Sequence, residues 1–201
     1  MKFGRFLLWL IRPLFYLLFP YKVKGMENVP KGQGHLMLCC NHISNLDPVF
    51  LLLAFKQRPI HFMAKAELFK NRFTAWLFSK VFGAFPVNRG KGDTESLKTA
   101  ERLVNEGKLM GIFPEGTRSK DGKLGRGKSG AALIASRTGA SVLPVAIKTK
   151  NQKIKLFRKT NIYIGRVLTP EELRLTGDNQ DIKYASRVIM ERIAGLMEEN
   201  S

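Results

Sequence analysis

The sequence predicts an α/β fold: a single-domain mixed sheet flanked by helices, preceded by a short N-terminal membrane-associated helical segment. Three observations carry this. Short apolar runs of strand length alternate with stretches of helical periodicity through most of the chain, the pattern of a layered α/β sheet. Polar residues stand at the ends of three of the strand runs, where the working residues of open α/β sheets collect. These are His42 with Asp47, Asn88 with Arg89, and Glu115 with Arg118. Third, the first 20 residues are apolar and aromatic, but Arg12-Pro13 interrupts them.

A chain of 201 residues is one domain, or one domain with an appendage, and is large enough to bury a core. Hydrophobic residues at 44% and charged residues at 25% fit a globular protein and exclude a disordered one. Lys and Arg number 34 against 16 Asp and Glu, and the resulting +18 attracts polyanions, either nucleic acid or an anionic membrane face. The only cysteines are Cys39 and Cys40. Neighbours on a strand point to opposite faces, so no disulfide between them is expected. No metal-ligand spacing occurs, and nothing calls for an oxidising compartment.

In residues 1–20 the apolar runs 6–11 and 14–19 both fall short of the roughly 20 residues that span a bilayer. No small-residue cleavage site follows, which argues against a signal peptide. Trp9 and Tyr16 suit the headgroup level, and Lys2, Arg5 and Arg12 suit anionic lipid. The segment is expected to lie in one leaflet. A buried N-terminal helix pair is the alternative.

Residues 21–25 read as a strand and 26–34 as a loop. Residues 36–40, continuously apolar, read as a strand covered on both faces. They lead into Asn41-His42-Ile43-Ser44-Asn45-Leu46-Asp47-Pro48. Pro48 suits the first position of a helix over 49–55, with Asp47 as its cap. A spacing of five does not place His42 and Asp47 on one helix face. A tight turn can fold Asp47 back, so that its carboxylate accepts from one ring nitrogen and leaves the other as a base. On this stretch alone, plain capping is the commoner arrangement.

Residues 60–64 read as a strand and 67–82 as one helix, with Phe69, Phe73, Trp76 and Leu77 on a broad face. Core packing is the simpler reading of that face; the alternative is the wall of an acyl-chain groove open to lipid. Residues 83–89 form a short strand that ends at Asn88 and Arg89. Asp93 or Thr94 caps a helix to Asn105, closed by Gly107. Residues 109–113 are a strand delivering Glu115, Gly116, Thr117 and Arg118. A glycine- and lysine-rich loop, 120–130, precedes a small-residue helix over 131–138, and 142–148 is a strand containing Pro144. Residues 153–157 and 161–167 suggest a hairpin with a basic turn. Thr169 to Glu172 is a capping box for a short helix. Ile182, Ala185, Ile189, Ile193 and Leu196 mark a last amphipathic helix.

In chemical terms, His42 is a candidate general base with Asp47 fixing its tautomer. No serine or cysteine nucleophile is needed if the substrate supplies the hydroxyl. Arg89 and Arg118 are candidates for a bidentate phosphate clamp. Backbone N–H groups of Gly116 and Thr117 are placed to assist at a turn or helix start. Glu115 suits a substrate hydroxyl, or a salt bridge to a nearby arginine. The 120–128 loop suits a phosphorylated carrier or the membrane, or is simply solvated.

The blocks N-H-I-S-N-L-D-P, G-A-F-P-V-N-R, F-P-E-G-T-R-S and V-L-P-V-A-I resemble, in order, the four motif blocks of the glycerolipid acyltransferases. They are most similar to those of the bacterial 1-acyl-glycerol-3-phosphate acyltransferases. The first and third blocks together are a specific pair, and the resemblance covers about residues 21–148. It implies a glycerol-3-phosphate acyltransferase-like fold, with 1–20 an interfacial segment and 21–201 the acyltransferase domain. It turns His42 and Asp47 from capping to catalysis, with His42 deprotonating the 2-hydroxyl of lysophosphatidic acid. The donor is then acyl-CoA or acyl-carrier protein. Asn88, Arg89, Glu115, Gly116, Thr117 and Arg118 would place the glycerol phosphate. Lys65 falls where relatives often carry a basic residue, and Pro144 is architectural or acyl-binding. The resemblance implies neither metal nor tightly bound cofactor, and a place on the cytoplasmic face of the cell membrane. Bacterial relatives often have a longer two-helix membrane motif, whereas about 20 residues precede the first strand here. Two other readings remain: the same chemistry on another lysolipid or glycerol phosphate, or a non-catalytic basic protein on an anionic membrane or nucleic acid. No nucleic-acid motif is visible and the aromatics cluster with aliphatics, so no nucleic-acid partner is expected.

Overall fold

A computed structural model describes residues 2–32, 34–56, 58–87, 94–119 and 121–199. Among them lie strands β1 (Tyr21–Lys24), β2 (Leu36–Cys40), β3 (Ile60–Lys65), β4 (Phe85–Val87), β5 (Leu109–Ile112), β6 (Ser141–Thr149) and β7 (Thr160–Ile164). The helices are α1 (Lys2–Leu18), α2 (Asp47–Ala54), α3 (Arg72–Trp76), α4 (Thr94–Asn105), α5 (Gly130–Thr138) and α6 (Asn179–Glu198). The strands form one sheet in the order β1-β7-β6-β2-β5-β3-β4. Neighbours run parallel except β6 and β7, so the sheet is mixed, as expected.

The sheet separates two apolar layers. β2 is buried along its whole length. Its Met37 and Cys39 face a cluster that includes Ala131, Ala132 and Ala135 of α5 and Ile182, Ile189 and Ile193 of α6. Leu38 and Cys40 face the opposite layer, with Phe50, Leu51 and Leu53 of α2 and Leu8 of α1. The period-two alternation therefore sends the adjacent thiols to opposite sides, and both are free and buried. Burial pushes the Cys39 thiol up to about 12 and the Cys40 thiol well above its ordinary value.

The N-terminal segment is one helix, not a pair, and only one side of it is buried. A Cβ at Gly4 would lie 2.3 Å from the carbonyl oxygen of Lys80, so only glycine permits this approach. Leu8 is buried, and Leu7 and Phe15 pack on the α2-side core. Trp9 is 67% exposed, and Phe6, Leu10, Leu14 and Leu17 are exposed as well. No helix of the described residues is long and apolar enough to cross a membrane.

Three local expectations need correction. The helix expected over 67–82 is three pieces: a 3-10 turn Ala66–Phe69, then α3, then a π-helical turn Leu77–Val81. Asn71 breaks the run, because its side chain accepts from the Phe73 N–H at 2.8 Å while its own backbone is extended. Phe73 is 67% exposed and Trp76 is exposed too, so core packing fails for these two, while Leu77 packs against the α2-side core. The hairpin over 153–157 and 161–167 is replaced by pairing of β7 with β6, where Ile147 meets Ile162 and Val145 meets Ile164. Phe157, at φ 58, cannot continue a strand. The capping box forms, with Thr169 N–H on Glu172 Oε2 at 3.0 Å and Glu172 N–H on Thr169 Oγ1 at 3.4 Å. It closes a turn instead of starting a helix, since left-handed Arg174, at φ 51, stops propagation.

Candidate active site

β2 stops at Cys40 while its partner β6 runs on, and Asn41 makes this possible. Its Oδ1 accepts from the Ile147 N–H at 2.7 Å, and its Nδ2 donates to the Ile147 carbonyl at 2.9 Å. The side chain thus supplies one more rung to the ladder, and the backbone is free to turn at His42.

His42 is gripped at each of its polar groups but one. Its N–H donates to Glu115 Oε1 at 2.8 Å, and its carbonyl accepts from the Ser119 N–H at 2.8 Å. Ring Nδ1 lies 2.8 Å from Asp47 Oδ2. A carboxylate oxygen that accepts leaves Nδ1 as the donor and Nε2 as the nitrogen with the free lone pair. The ring stacks on Phe113, centroids 4.1 Å apart and planes 18° apart.

Asp47 is fully buried. It is the first residue of α2, not its cap: the flanking position is Leu46. Its carboxylate points back into the turn, where Oδ2 also accepts from the N–H groups of Ile43 at 2.7 Å and Ser44 at 2.8 Å. Oδ1 is buried without a hydrogen-bond partner. The spacing of five thus gives a turn that closes on the carboxylate.

Glu115, also buried, uses one oxygen for the His42 N–H and the other for the Gly125 N–H at 2.9 Å. Among the described residues it forms no ion pair with an arginine; it ties the His42 turn to the basic loop. Gly116, at φ 71, has its N–H on the Phe113 carbonyl at 2.9 Å, closing a turn. That N–H is therefore occupied, and no helix starts there. Thr117 and Arg118 follow, both exposed. The loop folds back over this turn, with the Lys128 N–H on the Pro114 carbonyl at 2.8 Å. The Lys128 side chain crosses Gly116 so closely that a Cβ there would lie 3.0 Å from Nζ.

β2, β5, β3 and β4 are mutually parallel, so their C-terminal ends share one edge of the sheet. Lys65 is the exposed last residue of β3, opposite Val87 at the end of β4. Asn88 and Arg89 come next and lie outside the described residues. Pro144 sits within β6 opposite Cys39 of β2, and its carbonyl accepts from the Gly165 N–H at 2.9 Å. Its place is architectural. Two residues of the site were not singled out from sequence, Asn41 and Phe113; each lies in a quoted motif, but nothing in their periodicity marks them, whereas Lys128 falls in the basic loop read from sequence.

An apolar cavity of about 550 Å³ lies elsewhere, between α1, α2 and the Val81–Gly83 region, with Leu8, Leu52, Phe55 and Ile60 in its wall. Ile60 begins β3, in register with Leu109 at the start of β5. The cavity therefore lies toward the opposite edge of the sheet from His42. Among the described residues, no cluster of three or more His, Cys, Asp or Glu side chains is placed to share a metal ion.

Residues 20–148 match the family model described as Acyltransferase. The chain is 33% identical over 178 residues to a 1-acyl-sn-glycerol-3-phosphate acyltransferase of Bacillus subtilis, covering 87% of each protein. It is 35% identical over 133 residues to one from Borreliella burgdorferi, covering 64% of this chain and 51% of the relative. A solved structure, the 1-acyl-sn-glycerophosphate (LPA) acyltransferase of Thermotoga maritima, superposes with a TM-score of 0.74 at 26% identity, covering 98% of this chain and 82% of that one. By the extent of the family match and of the Bacillus subtilis alignment, this chain belongs to the acyltransferase family and is an acyltransferase.

Proposed function

We propose that the protein transfers a fatty acyl group from an acyl thioester, acyl-CoA or acyl-carrier protein, to the sn-2 hydroxyl of 1-acyl-glycerol-3-phosphate, giving phosphatidic acid. The observation that carries this reading is the 2.8 Å contact between His42 Nδ1 and Asp47 Oδ2, in a protein whose relatives are named for that activity. His42 Nε2 takes the proton of the 2-hydroxyl as its oxygen attacks the thioester carbonyl. Asp47 sits against the positive charge this places on the ring. The tetrahedral intermediate collapses, the carbon–sulfur bond breaks, and the imidazolium returns its proton to the departing thiolate. The buried Cys40 thiol, held well above its ordinary pKa, is no rival nucleophile.

Arg118 and Arg89 hold the phosphate together with Asn88 and with Lys65 at the end of β3, and Gly116 and Thr117 shape the turn. Glu115 acts through His42, since both its oxygens hold backbone N–H groups. Residues 1–20 form an interfacial segment and 21–201 the acyltransferase domain. The protein then sits peripherally or monotopically on the cytoplasmic face of the cell membrane. The exposed apolar side of α1 and the net charge of +18 support this, because both favour an anionic leaflet.

The test is transfer of a labelled acyl group to lysophosphatidic acid in detergent micelles, wild type against His42→Ala. Both donors are tried, with other lysolipids and glycerol phosphate as parallel acceptors. The expected result is wild-type phosphatidic acid and a loss of about three orders of magnitude in the variant. Equal rates would remove His42 from the chemistry. Product with only another acceptor would keep the base and change the substrate.

A further inference from the structure

The loop between β6 and β7 carries Lys153, Ile154, Lys155, Leu156, Phe157, Arg158 and Lys159. Ile154 is partly buried against the α2-side core and roots the loop. The next apolar pair turns outward: Leu156 is 55% exposed and Phe157 67%. Phe157 sits at φ 58, a conformation that a bulky side chain rarely adopts. Strain of this kind persists where the surrounding structure holds it, and it clusters at functional segments. What holds it here is the end of α1 and the segment that follows it: the Phe157 N–H donates to the carbonyl of Leu18, the last residue of α1, at 2.7 Å, and the Thr160 N–H to the Pro20 carbonyl at 2.9 Å. Phe157 is thereby fixed at the C-terminal end of α1, where Leu17, the residue before its hydrogen-bond partner Leu18, is exposed. Lys153, Lys155, Arg158 and Lys159 are all exposed. Among the described residues none of the four is paired with a carboxylate.

We infer that this loop is a second membrane-insertion element, placing Leu156 and Phe157 in the interface of an anionic leaflet while its four cations meet the headgroups. The inference rests on the interfacial reading of α1 and extends it from one helix to two tethered elements. An apolar tip in a cationic collar matches an anionic bilayer on both counts: the tip leaves water, and the collar neutralises lipid charge. An acidic carrier protein would satisfy the collar, but continuity with the exposed apolar side of α1 favours the leaflet.

The test uses the full chain with Phe157→Cys carrying an environment-sensitive fluorophore, and Trp9→Cys labelled separately. The native thiols are buried and their pKa values raised, so they do not compete for label. Emission is read with vesicles of mixed phosphatidylcholine and phosphatidylglycerol, with phosphatidylcholine alone, and with soluble acyl-carrier protein. The expected result is a blue shift at both positions on anionic vesicles. The unlabelled Leu156→Ser/Phe157→Ser double variant should partition about tenfold less, with an unchanged thermal midpoint. A shift at position 9 with a water-like signal at 157 would overturn the loop inference and leave α1 interfacial. No shift at either position would overturn both readings. A shift at 157 with acyl-carrier protein and not with vesicles would make the loop a protein dock and overturn the inference.

Discussion

Asp47 Oδ2 accepts from the imidazole and from two backbone amides, so the carboxylate stays in place whether or not the ring is present. Two substitutions separate these duties. Asp47→Asn keeps an oxygen for the amides and should lower kcat by about two to four orders of magnitude with little change in melting temperature. Asp47→Ala strands two amide donors and should add a destabilisation on the order of 1–3 kcal/mol, visible as a lower denaturant midpoint. Glu115→Gln gives a sharper test. Its amide group cannot accept from both the His42 and Gly125 N–H groups, so a positioning role predicts a fall in kcat with acceptor KM nearly unchanged. A rise confined to KM would return Glu115 to substrate contact. The pairing of His42 with Asp47 was legible because the two residues lie five positions apart in one eight-residue motif. The Asn41–Ile147 and His42–Glu115 contacts were not, because they join residues 106 and 73 positions apart.

At the scale of elements, α1 docks by a close approach at Gly4. Gly4→Val would drive side-chain atoms into the Lys80 carbonyl. The helix should lift, and limited proteolysis within residues 1–20 should accelerate while the rest of the chain resists. Across from it, β3 carries a pH-sensitive contact. His61 Nδ1 lies 3.1 Å from the Gly83 carbonyl and donates to it in the neutral ring. Burial lowers the His61 pKa below 6.5, against a smaller opposing effect of that hydrogen bond. The unfolded chain then binds the proton more readily than the folded one. Stability is fully present above about pH 6.5 and falls as the pH drops toward the folded value. Melting curves at about pH 7.5 and about pH 5.5 should show a steeper loss for wild type than for His61→Gln. The strands at the centre of the sheet were legible because short apolar runs bounded by turn residues mark strands covered on both faces. The break at Asn71 was not, because a side-chain cap inside an apolar run competes with helix periodicity through a local bond that the pattern does not record.

For the whole molecule, the sheet divides one core into two layers, and Cys39 and Cys40 report on both at once. Neither thiol should react with an aromatic disulfide reagent while the protein is folded. Both should react together as it unfolds, with a rate that follows global opening. Early reaction of one thiol alone would mean that one layer opens separately. The +18 charge is likewise a property of the whole. Vesicle binding should weaken as salt shortens the screening length, and duplex or single-stranded nucleic acid should not compete. By itself the sequence determined the α/β class, the order of the strands along the chain and the polar residues at their ends. These are written in periodicity and in short motifs, which depend on near neighbours. Only the tertiary structure decided that Glu115 braces His42, that Asn41 extends the ladder to β6, that one side of α1 is left bare and that Phe157 is pinned beside it. Each of those depends on which backbone N–H and C=O groups folding removes from water, and therefore on partners that lie far away along the chain.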